Sequence, residues 1–467
     1  MLHFIGFILL ALGAVMLAPT PVAFLANETY LLPYFIVPAV VVLVLGFFLR
    51  RRFQPTDITL GKAMVLVALG WIIFSAFGSI PYIFGNYMPV EDAYFESMSG
   101  FTATGLTMIS NVEAVQPTIL FWRSLTEWVG GVGVIVLFLA ALIGAGKAAR
   151  KMYVAEARAD RIEPSIRETA RSLWKIYLLL TLLGIVGLYF AGAPNMSLFE
   201  AVNHSMTGIA TGGFSVRNAS FAGYGTPVLA VAILIMIAGA ISFAVHRRVI
   251  SGHWRELFQN IEVRLMLVLV ALATLLLVWS VGLQDALFQS SSALTGTGFS
   301  TTTLSMWGDP QKGLLTILMV VGGGYGSTSS AIKLIRTVII VKAVHWMIKR
   351  SFLPERAVVP MKISGRIYSE QEMMETAIYA FLYIIVLISG AIVLMAVGNP
   401  AINSVFESAS AQGNVGLSVG ITSAAMPLAG KISMTVQMLV GRLEIIPVIA
   451  FVSYLIAKVP RPRRKPF

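Results

Sequence analysis

Four stretches of this chain break the helical path where a lipid bilayer should forbid it. Long apolar runs alternate with gaps of about 30 residues, and each gap carries a passage rich in glycines and hydroxyls. The passages read ESMSGFTATGLT from Glu96, HSMTGIATGGFS from His204, QSSSALTGTGFS from Gln289 and ESASAQGNVGLS from Glu407. In every copy a glycine is followed by Leu or Phe and then by Thr or Ser; the glycines are Gly105, Gly213, Gly298 and Gly416. Phe95, Phe288 and Phe406 precede their glycine by ten residues, and Phe199 precedes Gly213 by 14. Such register over four copies marks an internal repeat.

The membrane setting follows from composition. The chain has 467 residues, 57% hydrophobic and 12% charged, about half the charge of a soluble domain. Candidate spans are 2–25, 31–49, 58–84, 118–146, 172–192, 226–245, 262–283, 311–349, 373–397 and 431–457, each long enough for a hydrocarbon core of about 30 Å. The first run lacks the basic start and small-residue cleavage site of a signal peptide and reads as a retained helix. No cysteine is present, which excludes disulfides and thiolate metal sites, and the five histidines show no ligand spacing.

The net charge of +12 is a question of placement. Of the 34 Lys and Arg, 27 fall in five segments: 50–62, 147–175, 247–264, 342–366 and 458–465. The opposite links are nearly free of them. This is the positive-inside bias rather than a nucleic-acid surface, and it puts both termini in the cytoplasm. The four gaps, 85–117, 193–225, 284–310 and 398–430, then face outward. The expected organisation is an N-terminal helix pair over 1–57 and four units at 58–150, 151–250, 251–350 and 351–467, the last with a basic tail.

Each gap parses as a short helix and an extended return. The helix starts at acidic or capping residues: Glu91 and Asp92, Ser197, Asp285, Asn403. Ten residues make about 15 Å, half a bilayer. Small residues in membrane helices often serve close helix packing, which is the plain reading of any one passage. Four copies in register favour another. Irregular backbone at membrane depth survives only inside protein or beside water, and four equivalent loops can surround one axis. Their carbonyl oxygens could replace an ion's hydration, with short-helix C-termini directing partial negative charge at a cation. The expected fold is an all-α polytopic membrane protein: four helix, pore-helix, helix repeats around a central ion pore, plus the N-terminal pair.

Residues 320–333, VVGGGYGSTSSAIK, interrupt the span after the third passage. Gly322, Gly323, Gly324, Gly326 and the hydroxyls that follow are poor helix formers; the segment is either a packing kink or a loop that blocks the path. Arg442 sits at similar depth, where a charge is expensive. It reads as a barrier to cations or as half of an ion pair with Glu444, Glu127 or Glu407. Lys333 takes the same two readings. Glu127 lies four residues after Arg123, which favours a pair between them. Glu96, Glu200 and Glu407 on the short helices read first as hydrogen-bonding props.

With these residues in hand, the chain resembles the Trk/Ktr/HKT superfamily of potassium transporters. TATGL, ATGGF, TGTGF and GNVGL match its four filter segments, while GGGYGSTSSAIK from Gly322 and MLVGRLEI from Met438 are similar to two further signatures. The likeness covers 58–457, and the extra N-terminal pair looks like the Trk H-type subunit. The resemblance implies a potassium filter, mainly of backbone carbonyls, at Thr102, Ala103, Thr104 and Gly105; Ala210, Thr211, Gly212 and Gly213; Thr295, Gly296, Thr297 and Gly298; and Gly413, Asn414, Val415 and Gly416. It implies an intramembrane gate at Gly322, Gly323, Gly324, Gly326, Ser327, Lys333 and Arg442. It further implies K+ as the transported ion with no organic cofactor, a homodimer, and a cytosolic nucleotide-binding regulatory ring of the Trk A-type. The setting it implies is a bacterial inner membrane, with lipid as the other partner. Glycine at all four filter positions accompanies potassium selectivity in that family.

The chain carries no GxxxxGK[ST] loop and no mid-membrane cluster with catalytic spacing, so an enzyme is not expected. The alternative transport reading, an anion or small-solute carrier, would aim short-helix N-termini at the substrate; here the glycines follow the C-termini.

Overall fold

The computed structural model describes residues 1–55, 59–133, 166–354 and 359–458. Regular structure among them is helical apart from one antiparallel hairpin, Met361–Ile363 with Arg366–Tyr368. Among the described residues, six helices are long and apolar enough to cross a membrane: Leu2–Leu25, Thr29–Arg52, Leu60–Phe84, Glu168–Gly192, Ile261–Val281 and Glu370–Ala396. Two further helix pairs pass the same test as bent units. The chain is a multi-pass helical membrane protein.

The N-terminal pair packs on glycine. Leu2–Leu17 crosses Leu32–Arg52 where a Cβ on Gly6 would stand 2.7 Å from the Gly46 carbonyl oxygen, and one on Gly46 the same distance from that of Gly6. Two backbones can approach this closely only when neither carries a side chain, the usual basis of small-residue crossings in lipid.

The rest repeats four times. A long outer helix (Leu60–Gly78, Ile166–Gly192, Ile261–Val281, Glu370–Ala396) leads to a short one (Val90–Phe101, Leu198–Ile209, Leu283–Thr295, Ala401–Gly413). A return loop follows, and then an inner helix: Pro117–Val132, Thr226–Ala240, Asp309–Val321 or Leu428–Leu443. Local chemistry sets the starts. Ser197 and Glu200 form a capping box, and Glu91, Asp92 and Asp285 occupy first turns, where carboxylates suit the helix dipole. Three inner helices open with proline in the first turn, Pro117, Pro227 and Pro310, where its missing N–H costs nothing. Short helices of 12 or 13 residues rise about 20 Å and so end inside the protein.

The inner helices correct the sequence reading. The stretches 118–146, 226–245, 311–349 and 431–457 read as continuous spans, with one interruption in the third. All four inner helices in fact break: at Gly133 (φ 92°), Ile241, Gly322 (φ 73°) and Glu444 (φ 62°). The chain turns by 106° after Ala240 and by 115° after Leu443. Hydropathy runs on through each break, so it reports an apolar environment and not a straight axis. The remainder of 118–146, most of the basic segment 147–175 and the tail beyond 458 lie outside the described residues.

Replacing Gly46 by Leu should lower the thermal stability of the detergent-solubilised protein by about 1–3 kcal/mol, the usual cost of forcing volume into a packed contact. Unfolding followed by tryptophan fluorescence would read the change.

Candidate functional site

The four loop glycines close a ring. A Cβ on Gly105 would collide with the carbonyl oxygen of Gly212, one on Gly213 with that of Thr297, one on Gly298 with that of Val415, and one on Gly416 with that of Thr104, each under 3.0 Å. The succession runs from the first loop through the second, third and fourth and back to the first. It is the backbone of one loop seated against the next, four times, around a common centre. On one side of the ring a cavity of about 420 Å³ is lined by Gly105, Gly213, Gly298 and Gly416 with the hydroxyl residues Thr107, Ser215, Ser300 and Ser418.

The loops share a backbone rule. Each ring glycine has positive φ (87°, 83°, 85° and 94°), and so does the residue two before it: Ala103 (51°), Thr211 (52°), Gly296 (75°) and Asn414 (51°). The residue between them does not. Left-handed backbone at alternate positions brings successive carbonyls toward one side instead of opposite sides, because peptide units are planar. The first of these positive-φ residues also ends the short helix. The amides of Thr104, Gly212, Thr297 and Val415 bond five residues back, to the carbonyls of Ser99, Thr207, Ser292 and Ser410 at 2.8–3.0 Å. That is the long bond of a Schellman cap. Gly296 and Asn414 are usual residues for that position, while Ala103 and Thr211 hold it at a cost of about 1–2 kcal/mol each.

A second fourfold contact props the loops from behind. Nine residues before each ring glycine stands Glu96, His204, Gln289 or Glu407; two after it stands Thr107, Ser215, Ser300 or Ser418. Each pair is hydrogen-bonded, at 2.9, 2.8, 3.0 and 2.7 Å. Glu407 also accepts the amides of Val419 and Thr422 at 3.0 and 2.9 Å. Glu96 accepts Met108 N at 2.7 Å and Arg123 Nε at 2.8 Å. The sequence expectation that Glu96 and Glu407 act as props holds. Glu200, besides serving its capping box, pairs with Arg217 of its own return loop at 2.5 Å.

Arg123 therefore pairs with Glu96 and not with Glu127. Its guanidinium also donates to Ser215 O at 3.1 Å and lies 4.1 Å from the Phe214 ring centroid, joining the first repeat to the second. Glu127 accepts the amide of Phe214 at 3.0 Å. Four-residue spacing on a helix permitted the first pairing, but a tertiary partner won both side chains.

Residues 322–333 lie across the ring from the cavity. Thr328 Oγ1 is 3.2 Å from Thr211 Oγ1 and donates to the carbonyls of Ile209 and Gly239 at 2.9 and 2.8 Å. A Cβ on Gly296 would stand 3.1 Å from Ser329 Oγ. Gly322 and Gly326 carry positive φ (73° and 75°). Gly323 N donates to Ser329 Oγ at 3.0 Å, Gly324 N to Ala240 O at 2.9 Å, and Gly326 O accepts Phe243 N at 2.9 Å. Ser327 Oγ donates back to Gly324 O at 2.6 Å. Each bond can break without exposing a charge.

Arg442 reaches this loop through carbonyls. It donates to Thr328 O at 2.8 Å, to Gly131 O at 2.6 Å and to Gly130 O. Of the acids considered for it, Glu444 is held by Arg336 at 2.8 Å, Glu127 by Phe214 N, and Glu407 by its own return loop. Lys333, fully buried with φ 85°, donates to Ser329 O. Sequence reasoning missed Glu262, whose Oε1 accepts both Tyr325 N at 2.8 Å and Ile335 N at 3.1 Å, holding the two necks of the loop. It reads as an ordinary first-turn acid, capped by Asn260, and nothing local marks it.

A ring of four backbone loops within a multi-pass helical membrane protein, with a cavity on one side and a glycine-rich segment on the other, defines a four-repeat transport protein. Residues 42–284 and 280–458 match the TrkH family, described as cation transport protein, and this chain belongs to that family. It is 35% identical over 467 residues to an uncharacterized cation transporter of Methanocaldococcus jannaschii, covering 99% of this chain and 97% of that one. Similarity to the Trk system potassium uptake protein TrkH of Salmonella typhimurium is 31% identity over 85% of this chain and 86% of the other. The crystal structure of the potassium transporter TrkH from Vibrio parahaemolyticus superposes with a TM-score of 0.83 at 27% identity, covering 98% of both chains.

Arg123→Ala would strand Glu96 in the protein interior, and removing one partner of a buried pair costs about 3–5 kcal/mol. The expected result is a fall in melting temperature well beyond that of Arg248→Ala, whose pair with Glu256 is exposed, measured side by side in the same detergent.

Proposed function

We propose that this protein carries potassium into the cell through the ring, with Thr102–Gly105, Ala210–Gly213, Thr295–Gly298 and Gly413–Gly416 as the filter. The observation that carries the reading is the closed succession of loop contacts at Gly105, Gly213, Gly298 and Gly416. Carbonyl oxygens spaced around one axis can stand in for the water of a monovalent cation. The four short helices end at this ring, so their C-terminal dipoles favour positive charge there. The arginines of the outer cavity do not argue for an anion, since Arg123 pairs with Glu96 and Arg217 with Glu200. The names of the Salmonella and Vibrio relatives, potassium uptake protein and potassium transporter, agree with the ion chosen.

On this reading the units 58–150, 151–250, 251–350 and 351–467 are pore repeats, and 322–333 with Lys333 and Arg442 forms the gate on the inner side. Both termini and the basic segments face the cytoplasm of a bacterial inner membrane. A homodimer and a cytosolic nucleotide-binding ring belong to the same proposal by family likeness, with segments 147–175 and 342–366 as docking or lipid-headgroup surfaces.

Gly105→Ser tests the filter. The new side chain meets the Gly212 carbonyl and strains a positive φ, so the potassium-to-sodium permeability ratio of reconstituted vesicles should fall by about tenfold or more, the equivalent of ~1.4 kcal/mol. An unchanged ratio in the folded variant would sink the assignment. Deleting 323–327 tests the gate: basal rubidium influx should rise while potassium preference persists, and a folded but silent channel would make the segment structural.

A further inference from the structure

The second loop differs from the other three at one position. Directly before the ring glycine stand Thr104, Thr297 and Val415, but Gly212 in the second copy. The missing side chain is not a void. A Cβ on Gly212 would stand 2.5 Å from the carboxyl carbon and Oε2 of Glu127, and 3.0 Å from its Cγ. Glu127 belongs to the first repeat's inner helix, ten residues after its start; at the same place the other inner helices carry Met236, Met319 and Met438. Bulk and polarity have moved from the loop of one repeat to the inner helix of its neighbour.

Glu127 is fully buried and takes the amide of Phe214 at 3.0 Å. That amide shares a planar trans peptide with the Gly213 carbonyl, so the N–H and C=O point opposite ways. Fixing the N–H on a carboxylate behind the loop fixes the carbonyl on the other side. Without an acceptor there, the peptide plane can turn, because the glycine on its N-terminal side resists no value of ψ.

We infer that Glu127 is a positioning residue of the filter, seated in the room left by Gly212 and holding the Gly213 carbonyl toward the axis through Phe214 N–H. The inference rests on the filter reading above. It makes the ring asymmetric: the second loop is oriented by a carboxylate from the preceding repeat.

The test uses the full-length chain in vesicles and measures potassium-to-sodium permeability ratio alongside melting temperature. Glu127→Gln keeps an oxygen acceptor of the same shape and should keep the ratio. Glu127→Ala should lower it by about tenfold, the scale of one buried hydrogen bond. Gly212→Thr alone should be as damaging, since its side chain meets the carboxylate. The double change Glu127→Ala with Gly212→Thr relieves that clash and should regain melting temperature over Gly212→Thr alone, while the ratio stays low because Phe214 N–H still lacks its acceptor. Folded Glu127→Ala with a normal ratio overturns the positioning role, and a double variant with a restored ratio overturns it too. If Glu127→Ala does not fold, loss of the ratio in folded Glu127→Gln would also overturn it, since geometry is retained there. Gly105→Ser run in parallel separates the two ideas: if it alone shifts the ratio, the filter reading stands and this inference falls.

Discussion

Every feature of the centre of this protein follows from one constraint: a peptide group removed from water must still be satisfied. In hydrocarbon the helix does this alone. The four return loops leave the helix and so have to be satisfied by neighbours, and the chain supplies those neighbours four times. Schellman bonds close the helix ends, hydroxyls on the short helices reach loop carbonyls (Thr207 to Phe214 at 2.8 Å, Ser292 to Phe299 at 2.7 Å), and a polar residue nine before the glycine takes the hydroxyl two after it.

A ring made from one chain must also be closed between unlike repeats, and each seam has its own solution. Arg123 and Glu127 join the first repeat to the second. Phe221 N donates to Ser300 O at 2.8 Å, and Ser300 N to Ser220 Oγ at 3.2 Å, between the second and third. The last seam, between the fourth and first loops, is spanned by Asn414, whose Nδ2 donates to Thr104 Oγ1 at 2.8 Å and to Met438 O at 2.9 Å. A buried ion pair between Lys431 and Asp92 joins the same two repeats. Between the third and fourth repeats Lys312 Nζ donates to Asn403 Oδ1 at 3.1 Å. Four identical subunits would be obliged to solve this problem once; a fused chain is free to solve each seam differently, and does.

This explains what could be read in the sequence. The glycines, the short helices and the four gaps were legible because they recur in register, and because positive φ and close backbone approach select glycine. The interrupted third span was legible because Gly322–Gly326 is too poor in helix formers to pass. The other breaks were not: Ile241 and Glu444 sit in sequences that read as helix, and the turn is set by capping and packing on distant residues. The partners of Arg123, Arg442 and Glu262 were likewise invisible, since each lies in another repeat or across the loop. Local spacing offered Glu127 to Arg123, and the fold gave Arg123 to Glu96.

The breaks in the inner helices also account for how a guanidinium can sit below the ring. A helix that ends early frees carbonyls of its last turn for other donors; Gly130, whose carbonyl also takes Gly133 N at 3.0 Å, and Gly131 lie in the last turn before Gly133. Arg442 takes both, together with Thr328 O of the glycine-rich segment. The three hydrogen bonds to carbonyl dipoles hold the guanidinium in place without themselves supplying a negative charge. Thr328 O lies on the glycine-rich segment, so the arginine ties the end of the fourth inner helix and the last turn of the first to residues 322–333, and a displacement of those residues away from the inner helices would break at least one of these bonds.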